Sequence, residues 1–173
     1  PFVSLLQIPR LGFRTYRSLW EFLYYFSRRN HHRDVIEALN ATRSCLEIQY
    51  SQLKIPGTGL FASAGRTSMS DLLDVLSIRV AYKAFRDTVG REASTVSLAG
   101  ALAYNLDALF FVYYALSFCQ SASGEYKRSL LGRSSHSPPW LRVNGPLRNT
   151  VNFARAFRCP AGTFMNPRSL CDL

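Results

Sequence analysis

An apolar series with helical spacing in the middle of the chain narrows the possible architectures more than any other pattern. The series consists of Leu72, Leu73, Leu76, Val80 and Ala84. Intervals of this kind are typical of one face of an α-helix. Thr67 or Ser68 is a candidate N-cap, and the helix is predicted to end near Gly90. No run with the period of a strand competes with it, so the sequence predicts a mainly α fold.

Further apolar periods predict helices on both sides of this one. Residues 16–26 and 35–48 predict either two helices or one bent helix. Pro and Gly residues within 56–59 then predict a loop, because neither residue type continues a helix easily. After the central helix, residues 98–119 predict a long helix and residues 124–130 a short one.

The last part of the chain, beyond Gly132, is rich in proline. Its Pro-containing pairs are Pro138-Pro139, Gly145-Pro146, Cys159-Pro160 and Asn166-Pro167. Only residues 150–157 show a helical pattern there. A tail with so few apolar periods cannot form a core of its own. We therefore expect residues 132–173 to wrap against the helical part, about 14–131, within a single domain over 1–173.

The formal net charge of +10 is compatible with nucleic acid, an anionic membrane or an acidic partner. The arginines are spread from Arg10 to Arg168, and no nucleic-acid-binding module is recognisable. We therefore expect a solvated basic surface and no nucleic-acid partner. The longest apolar run, 108–118, covers about half of the roughly 20 residues that a membrane helix needs. It favours a buried core helix over a transmembrane segment.

The four cysteines, Cys45, Cys119, Cys159 and Cys171, are far apart and form no C-x-x-C pair. Their spacing argues against a zinc finger. It fits long-range disulfides and an oxidising compartment, although buried thiols in a cytosolic protein would give the same pattern. The chain starts at Pro1 without a signal peptide, which favours an excerpt or a mature piece.

Side chains capable of chemistry are few. His31 and His32 are neighbours, and on a helix their side chains diverge by about 100°. They cannot share a zinc ion as an i, i+4 pair does. Asp71 and Asp74 lie near the predicted start of the central helix and are expected to be solvated. The sequence contains neither a phosphate-binding loop motif nor a serine-nucleophile motif.

His136 lies in the proline-rich tail, and Arg142 follows it closely. An imidazole and a guanidinium that a rigid loop presents together could stabilise an oxyanion and bind a peptide carbonyl or carboxylate. A surface histidine beside turn prolines is the alternative interpretation.

A longer ordered run surrounds this pair. It comprises His136-Ser137-Pro138, Arg142, Gly145, Asn149, Phe153, Phe157, Cys159, Met165-Asn166-Pro167 and Cys171. The run resembles the closing segment of the neprilysin and endothelin-converting-enzyme family of zinc metalloendopeptidases, and the resemblance extends from about Gly12 to the end. It implies the helical catalytic lobe of a gluzincin-type metallopeptidase with a disulfide-stapled, Pro-rich C-terminal tail. In the family, the histidine that His136 resembles stabilises the transition state, and the arginine that Arg142 resembles binds the substrate carbonyl.

The central helix is similar to a family helix with the motif Glu-x-x-x-Asp, on the matches of Thr67, Asp74, Ala81-Tyr82 and Ala84. The glutamate of that motif is the third zinc ligand, and Ser70 stands at its position. A hydroxyl does not supply the carboxylate charge of a His₂Glu zinc site. Asp74 matches the aspartate that orients a zinc-bound imidazole in the family, and it is expected to lack that partner here.

The other family ligands and the general base come from a His-Glu-x-x-His motif before a Gly-Phe pair, and this chain contains no such motif. If Gly12-Phe13 is that pair, residues 7–11 occupy the motif, and Pro9 would disrupt its helix. A deletion is the alternative. Ser134 also replaces a family aspartate that lies two residues before the loop histidine. Zinc is the family's metal, but no metal or other cofactor is expected in this chain.

The family pattern suggests that Cys45 pairs with Cys171, whereas Cys119 and Cys159 resemble cysteines whose partners lie in an N-terminal segment. The expected partners are therefore peptides and an N-terminal lobe of a longer chain. The resemblance implies an extracellular location, either secreted or in the ectodomain of a membrane-anchored protein.

The sequence thus predicts a degenerate zinc metalloendopeptidase domain that is catalytically inactive and retains peptide binding. One alternative is a fragment or faulty gene model of an active zinc metalloendopeptidase that cleaves small peptides. The other is a secreted, non-enzymatic binding module. Whether the chain is an enzyme stays open on the sequence alone.

Overall fold

A computed structural model of the protein describes residues 33–90, 95 and 104–172. Within these residues the chain forms helices and loops, and its β-structure is limited to isolated bridges between Lys54 and Phe61 and between Thr163 and Asn166. The prediction of a mainly α fold is confirmed. The helices of this part are α1 (Arg33–Ser51), α2 (Ala64–Val89), α3 (Leu106–Leu116), α4 (Gly124–Leu131), α5 (Pro139–Arg148) and α6 (Val151–Ala156).

Helix α1 confirms the pattern at 35–48. Its buried residues, Leu39, Thr42, Leu46 and Tyr50, recur at helical spacing and form the face that packs along α2. The predictions for residues 7–11 and 16–26 and for His31 and His32 lie outside the described residues.

Helix α2 ends where the sequence predicts but begins earlier. Gly90 follows its last residue with φ 70°, a left-handed conformation that glycine adopts without steric cost. Its N-cap position is Ser63 rather than Thr67 or Ser68. The Thr67 hydroxyl lies inside the helix and donates to Oδ2 of Asp71 at 2.7 Å. The cap preference of Thr67 is thus overridden by a buried hydrogen bond.

Helix α3 is shorter than the predicted 98–119. Asn105 is its N-cap and accepts a hydrogen bond from the backbone N–H of Ala108 at 2.8 Å. This bond satisfies a backbone donor of the first turn and fixes the helix start. The part of the prediction before residue 104 lies outside the described residues. Helix α4 confirms the short helix predicted at 124–130.

Helix α5 was not predicted, because its sequence contains both Gly145 and Pro146. Pro139 lies in its first turn, where a missing N–H costs nothing. Pro146 cannot donate to the carbonyl of Arg142, one turn earlier. The hydroxyl of Tyr114 donates to that carbonyl instead, at 2.7 Å. A hydrogen bond from α3 therefore makes an internal proline tolerable in α5. Helix α6 confirms the pattern at 150–157.

The C-terminal tail is anchored to the helices by a disulfide and by polar contacts. Cys45 on α1 is bonded to Cys171, as the resemblance suggested. The Arg79 guanidinium on α2 donates to the carbonyls of Asn149 and Cys171 at 3.0 and 3.2 Å. The buried Asn149 side chain accepts from the N–H of Cys171 at 2.9 Å and exchanges hydrogen bonds with Gln49. These contacts pack the end of the tail on α1 and α2.

The described core has two parts. One lies between α1 and α2 and includes Leu46, Tyr50, Leu72, Val75 and Leu141. The other is largely aromatic and joins α2, α3 and α6 through Tyr82, Phe85, Phe110, Phe111 and Phe153. Helix α5 packs against α2, α3 and α6. Among the described residues, no helix is both long and apolar enough to cross a membrane.

Candidate functional site

The site is built around an ion pair between α2 and α5. Nε and Nη2 of Arg142 donate to the two carboxylate oxygens of Asp74 at 2.7 and 2.8 Å. Both side chains are largely buried, with exposures of 12% for Arg142 and 8% for Asp74. Two parallel hydrogen bonds fix the plane of the guanidinium, and the ring of Phe118 lies against it at 4.8 Å. Asp74, which matches the aspartate that orients a zinc-bound imidazole in the family, pairs with Arg142 in this structure.

The loop before α5 presents His136 at the surface. Its Nδ1 lies 3.0 Å from the hydroxyl of Ser135, and the hydroxyl of Ser134 donates to its carbonyl at 2.9 Å. Partial burial lowers the pKa of the imidazole and the charge of Arg142 lowers it further, while Asp74 opposes both effects. His136, Arg142 and Asp74 are therefore close enough to influence one another, although 62 residues separate Asp74 from His136 in sequence.

Asp71 was expected to be solvated, and this is wrong. It is 1% exposed, because α2 begins well before it and turns this side chain into the interior. Oδ2 of Asp71 accepts from Thr67, whose hydroxyl oxygen accepts from Ser137, the neighbour of His136. Oδ1 is buried without a hydrogen-bond partner. Burial raises the pKa of the Asp71 carboxyl to about 7, and the neighbouring hydroxyl groups of Thr67 and Ser137 oppose this shift.

Asp74 is likewise buried rather than solvated. Burial raises the pKa of its carboxyl, and the hydrogen bonds and charge of Arg142 oppose this shift. The two buried carboxyl groups of α2 thus have different surroundings. Asp74 faces a cation, whereas Asp71 faces hydroxyl groups.

Ser70, which the sequence resemblance predicts to replace the family's third zinc ligand, lies on α2. Its hydroxyl donates to the carbonyl of Thr67 at 3.0 Å, within the same helix. Such a bond turns a serine side chain back onto its own backbone. Across the described segments, no three His, Cys, Asp or Glu side chains lie close enough together to hold a metal ion. The donor groups of this part of the chain therefore do not fit a His₂Glu zinc site.

Sequence reasoning missed the contact that sets the position of α5. Gly145 lies directly on the ring of Tyr50, and a Cβ at this glycine would overlap the ring. The Tyr50 hydroxyl is buried without a hydrogen-bond partner, and burial raises its pKa well above the usual value. The Gly145-Pro146 pair, which in the sequence is only one of the Pro-containing pairs of the tail, marks a close approach of two helices. The need for a glycine at 145 follows from the size of the Tyr50 ring, and Tyr50 lies far away in sequence.

The remaining cysteines are not paired. Cys119 is exposed and Cys159 is half-buried. The sequence left open whether these thiols are free, unusually paired, or bonded to a segment outside this chain. A bond between the two of them is absent from the structure.

Comparison with known proteins assigns the family. The sequence model of peptidase family M13 matches residues 28–173. Neprilysin-1 of Caenorhabditis elegans is 35% identical over 136 residues, which cover 76% of this chain and 18% of the relative. Neprilysin-3 of Drosophila melanogaster is 32% identical over 139 residues, or 80% of this chain and 17% of the relative. The human Kell blood group glycoprotein is 32% identical over 136 residues, or 79% and 18%.

The chain spans about a fifth of the length of the curated relatives that it matches. The match nevertheless includes every described residue that builds the site, from Asp71 and Asp74 to His136 and Arg142. The resemblance seen in the tail therefore reflects kinship over most of the sequence, and the chain belongs to peptidase family M13, the neprilysin family.

Proposed function

We propose that this chain is a degenerate peptidase domain that binds peptides without hydrolysing them. The observation that carries the proposal is Ser70. A neutral hydroxyl, bonded to the carbonyl of Thr67, occupies the position of a zinc-binding carboxylate. Meanwhile Asp74 and Arg142, which resemble residues around the family's site, remain paired in a fixed geometry.

The neighbouring carboxylate does not replace the missing ligand. Asp71 follows Ser70 directly, so its side chain points about 100° further around α2. Its Oδ2 accepts from the Thr67 hydroxyl, which in turn accepts from Ser137. On these residues we derive no step that passes through a metal, and water activation by a metal is not part of the proposed function.

Peptide binding is supported by the remaining polar groups. His136 is exposed, and its lowered pKa favours a neutral imidazole that can both donate and accept a hydrogen bond. Asp74 holds the Arg142 guanidinium beneath it, which provides a cation for a carbonyl or carboxylate group. The proposed substrate-facing groups are thus His136 at the surface and Arg142 below it.

We also propose that the domain acts outside the cell. The disulfide between Cys45 and Cys171 fits an oxidising compartment. The other candidate functions are an active zinc metalloendopeptidase, with this chain as one part of it, and a binding module unrelated to peptides.

Metal analysis and a peptide-cleavage assay test the proposed loss of activity. We expect the purified chain to contain no stoichiometric zinc and to leave a library of short peptides intact. Ser70→Glu alone should restore neither property, because a single carboxylate does not complete the ligand set. Tight zinc together with chelator-sensitive cleavage would contradict the proposal and favour the active peptidase.

Peptide binding is tested best at His136, because its truncation leaves the buried ion pair intact. We expect His136→Ala to weaken the binding of immobilised peptides by about two- to tenfold, as for the loss of a neutral hydrogen bond. Lys54→Ala, an exposed substitution in the loop between α1 and α2, is the control and should bind as the unaltered chain does. Equal affinities for both variants would favour a module whose partner binds elsewhere.

A further inference from the structure

A cavity of about 520 Å³ opens between the C-terminal half of α2, the start of α3 and helix α6. Its wall contains four cationic side chains and one carboxylate: Arg79, Lys83, Arg86, Arg155 and Asp107. None of the residues assigned to the peptidase-like site lines it. Its volume is typical of sites that bind small molecules, and cationic side chains outnumber carboxylates four to one in its wall.

The carboxylate in the wall is already neutralised by its neighbours. Asp107 is buried and accepts from the hydroxyl of Tyr82 at 2.8 Å and from Nη1 of Arg86 at 3.0 and 3.1 Å. Arg86 is therefore held in place by one nitrogen. In the described part of the chain, its Nε and Nη2 have no acceptor. This leaves one edge of a positioned guanidinium available to a ligand.

Two further cations are available at the cavity. Arg155 on α6 is exposed, and no ion pair to it exists among the described residues. Lys83 pairs with Asp87 one turn later on α2, but the exposures of 76% and 66% make this a weak pair that another anion can displace. The side-chain amide of Asn152 adds a neutral donor to the wall.

Arg79 has a different role. It binds the carbonyls of Asn149 and Cys171 and the carboxylate of Asp172, so it joins the tail to α2. This contact and the contact with Asp107 hold Arg79 and Arg86 in place, so two cations of the wall are positioned before a ligand arrives. A site whose groups are positioned before binding loses less entropy when a ligand arrives.

We propose that this cavity binds a small polyanion, a molecule that carries two or more phosphate, sulfate or carboxylate groups. Arg155 and the open edge of Arg86 bind one anionic group. Lys83 binds a second at the rim, with Asn152 as a further donor. The net charge of +10 attracts such ligands to the molecule from a distance, and the cavity selects those that are compact. This site is independent of the proposed peptide binding.

Calorimetric titration tests the proposal with inorganic pyrophosphate and, separately, citrate, at physiological ionic strength and neutral pH. We expect saturable binding of at least one of them at a single site. Arg155→Ala should weaken it about tenfold or more, since it removes a charged hydrogen-bond donor. Lys83→Ala, the second variant, also changes an exposed side chain and should weaken binding to a smaller extent.

The matched control is Arg128→Ala. Arg128 is exposed on α4, does not line the cavity, and its loss lowers the net charge as much as the loss of Arg155 does. Binding that Arg128→Ala and Arg155→Ala weaken equally would overturn the proposal, because attraction to the overall charge would then explain it. Absence of saturable binding for both pyrophosphate and citrate would overturn it as well.

Discussion

At the residue scale, the buried pair of Asp74 and Arg142 links the fold to the proposed site. It joins α2 to the helix that follows the His136 loop, and each charge is desolvated by burial. A buried pair of this kind adds little stability compared with apolar residues of similar size, but it is costly to break. Its value here is geometric, since it fixes the guanidinium of Arg142.

We therefore expect Arg142→Ala to lower the free energy of unfolding by about 3–5 kcal/mol, because it leaves the Asp74 carboxylate buried without a cation. The double variant Arg142→Ala, Asp74→Asn should recover part of this loss, since the uncompensated charge is removed as well. Urea unfolding of the three proteins measures both effects. If the double variant were no more stable than Arg142→Ala, the charge would not be the cause. A loss of peptide binding in Arg142→Ala alone is therefore weak evidence about binding.

The second prediction at the residue scale is that the stability of the fold depends on pH through Asp71. Its carboxyl pKa is raised to about 7 in the folded chain, so the folded state binds this proton more tightly than the unfolded state does. Its contribution to stability is fully present below about pH 4 and is lost as the pH rises through about 7. Since each pH unit of pKa difference corresponds to about 1.4 kcal/mol, the ionised carboxylate costs on the order of 4 kcal/mol.

Asp71→Asn tests this, because the amide stays neutral at every pH. Unfolding by urea between about pH 4 and 8 should show a smaller fall in stability for the variant than for the unaltered chain. Asp74 and His136 are present in both proteins, so the difference between the two pH profiles reports on Asp71. Parallel pH profiles would show that the buried Asp71 is not the group that titrates.

At the scale of elements, α5 depends on α3 for a backbone hydrogen bond. Pro146 leaves the carbonyl of Arg142 without its helical donor, and the Tyr114 hydroxyl replaces that donor at 2.7 Å. The same helix needs a glycine at 145 because the Tyr50 ring of α1 lies against it. The path of α5, and with it the position of Arg142, is thus set by aromatic residues from two other helices.

Tyr114→Phe should lower the free energy of unfolding by about 1–3 kcal/mol, because a buried carbonyl loses its partner while the ring is kept. Tyr113→Phe is the matched control on the same helix, where the side chain is 41% exposed. It should change stability by less than about 0.5 kcal/mol. Chemical denaturation of both variants gives the comparison. Equal effects of the two substitutions would mean that the carbonyl of Arg142 has no need of the Tyr114 hydroxyl.

At the scale of the whole molecule, the disulfide joins residues that are 126 positions apart. It closes a loop that includes all the helices after α1, so its loss frees much of the unfolded chain. We expect Cys45→Ser with Cys171→Ser to cost on the order of 4–5 kcal/mol. The matched control is Cys119→Ser with Cys159→Ser, which removes the same number of thiols without a bond. Thermal unfolding should distinguish the two pairs clearly, and similar melting temperatures would contradict the prediction.

The cavity at Arg155 also belongs to this scale, because α2, α3 and α6 each contribute one side of it. No local sequence pattern predicts this cavity. Arg79, Lys83 and Arg86 share a face of α2 at helical spacing, but the sequence alone predicts only a solvated basic surface for that face. Its concavity exists only because α3 and α6 pack beside it.

Local patterns in the sequence were sufficient to predict the helices α1, α2, α4 and α6, because apolar periodicity indicates which face of a helix is buried. The ordered residues of the tail were sufficient to identify the family, and the family pattern predicted the pairing of Cys45 with Cys171. The tertiary structure alone decided the start of α2, the existence of α5 and the surroundings of Asp71 and Asp74. Each of these depends on a partner remote in sequence, such as Ser137 for Thr67, Tyr114 for α5 and Arg142 for Asp74. A sequence shows which groups a chain has, but burial and pairing are properties of the packed molecule, because desolvation and hydrogen bonding act across space rather than along the chain.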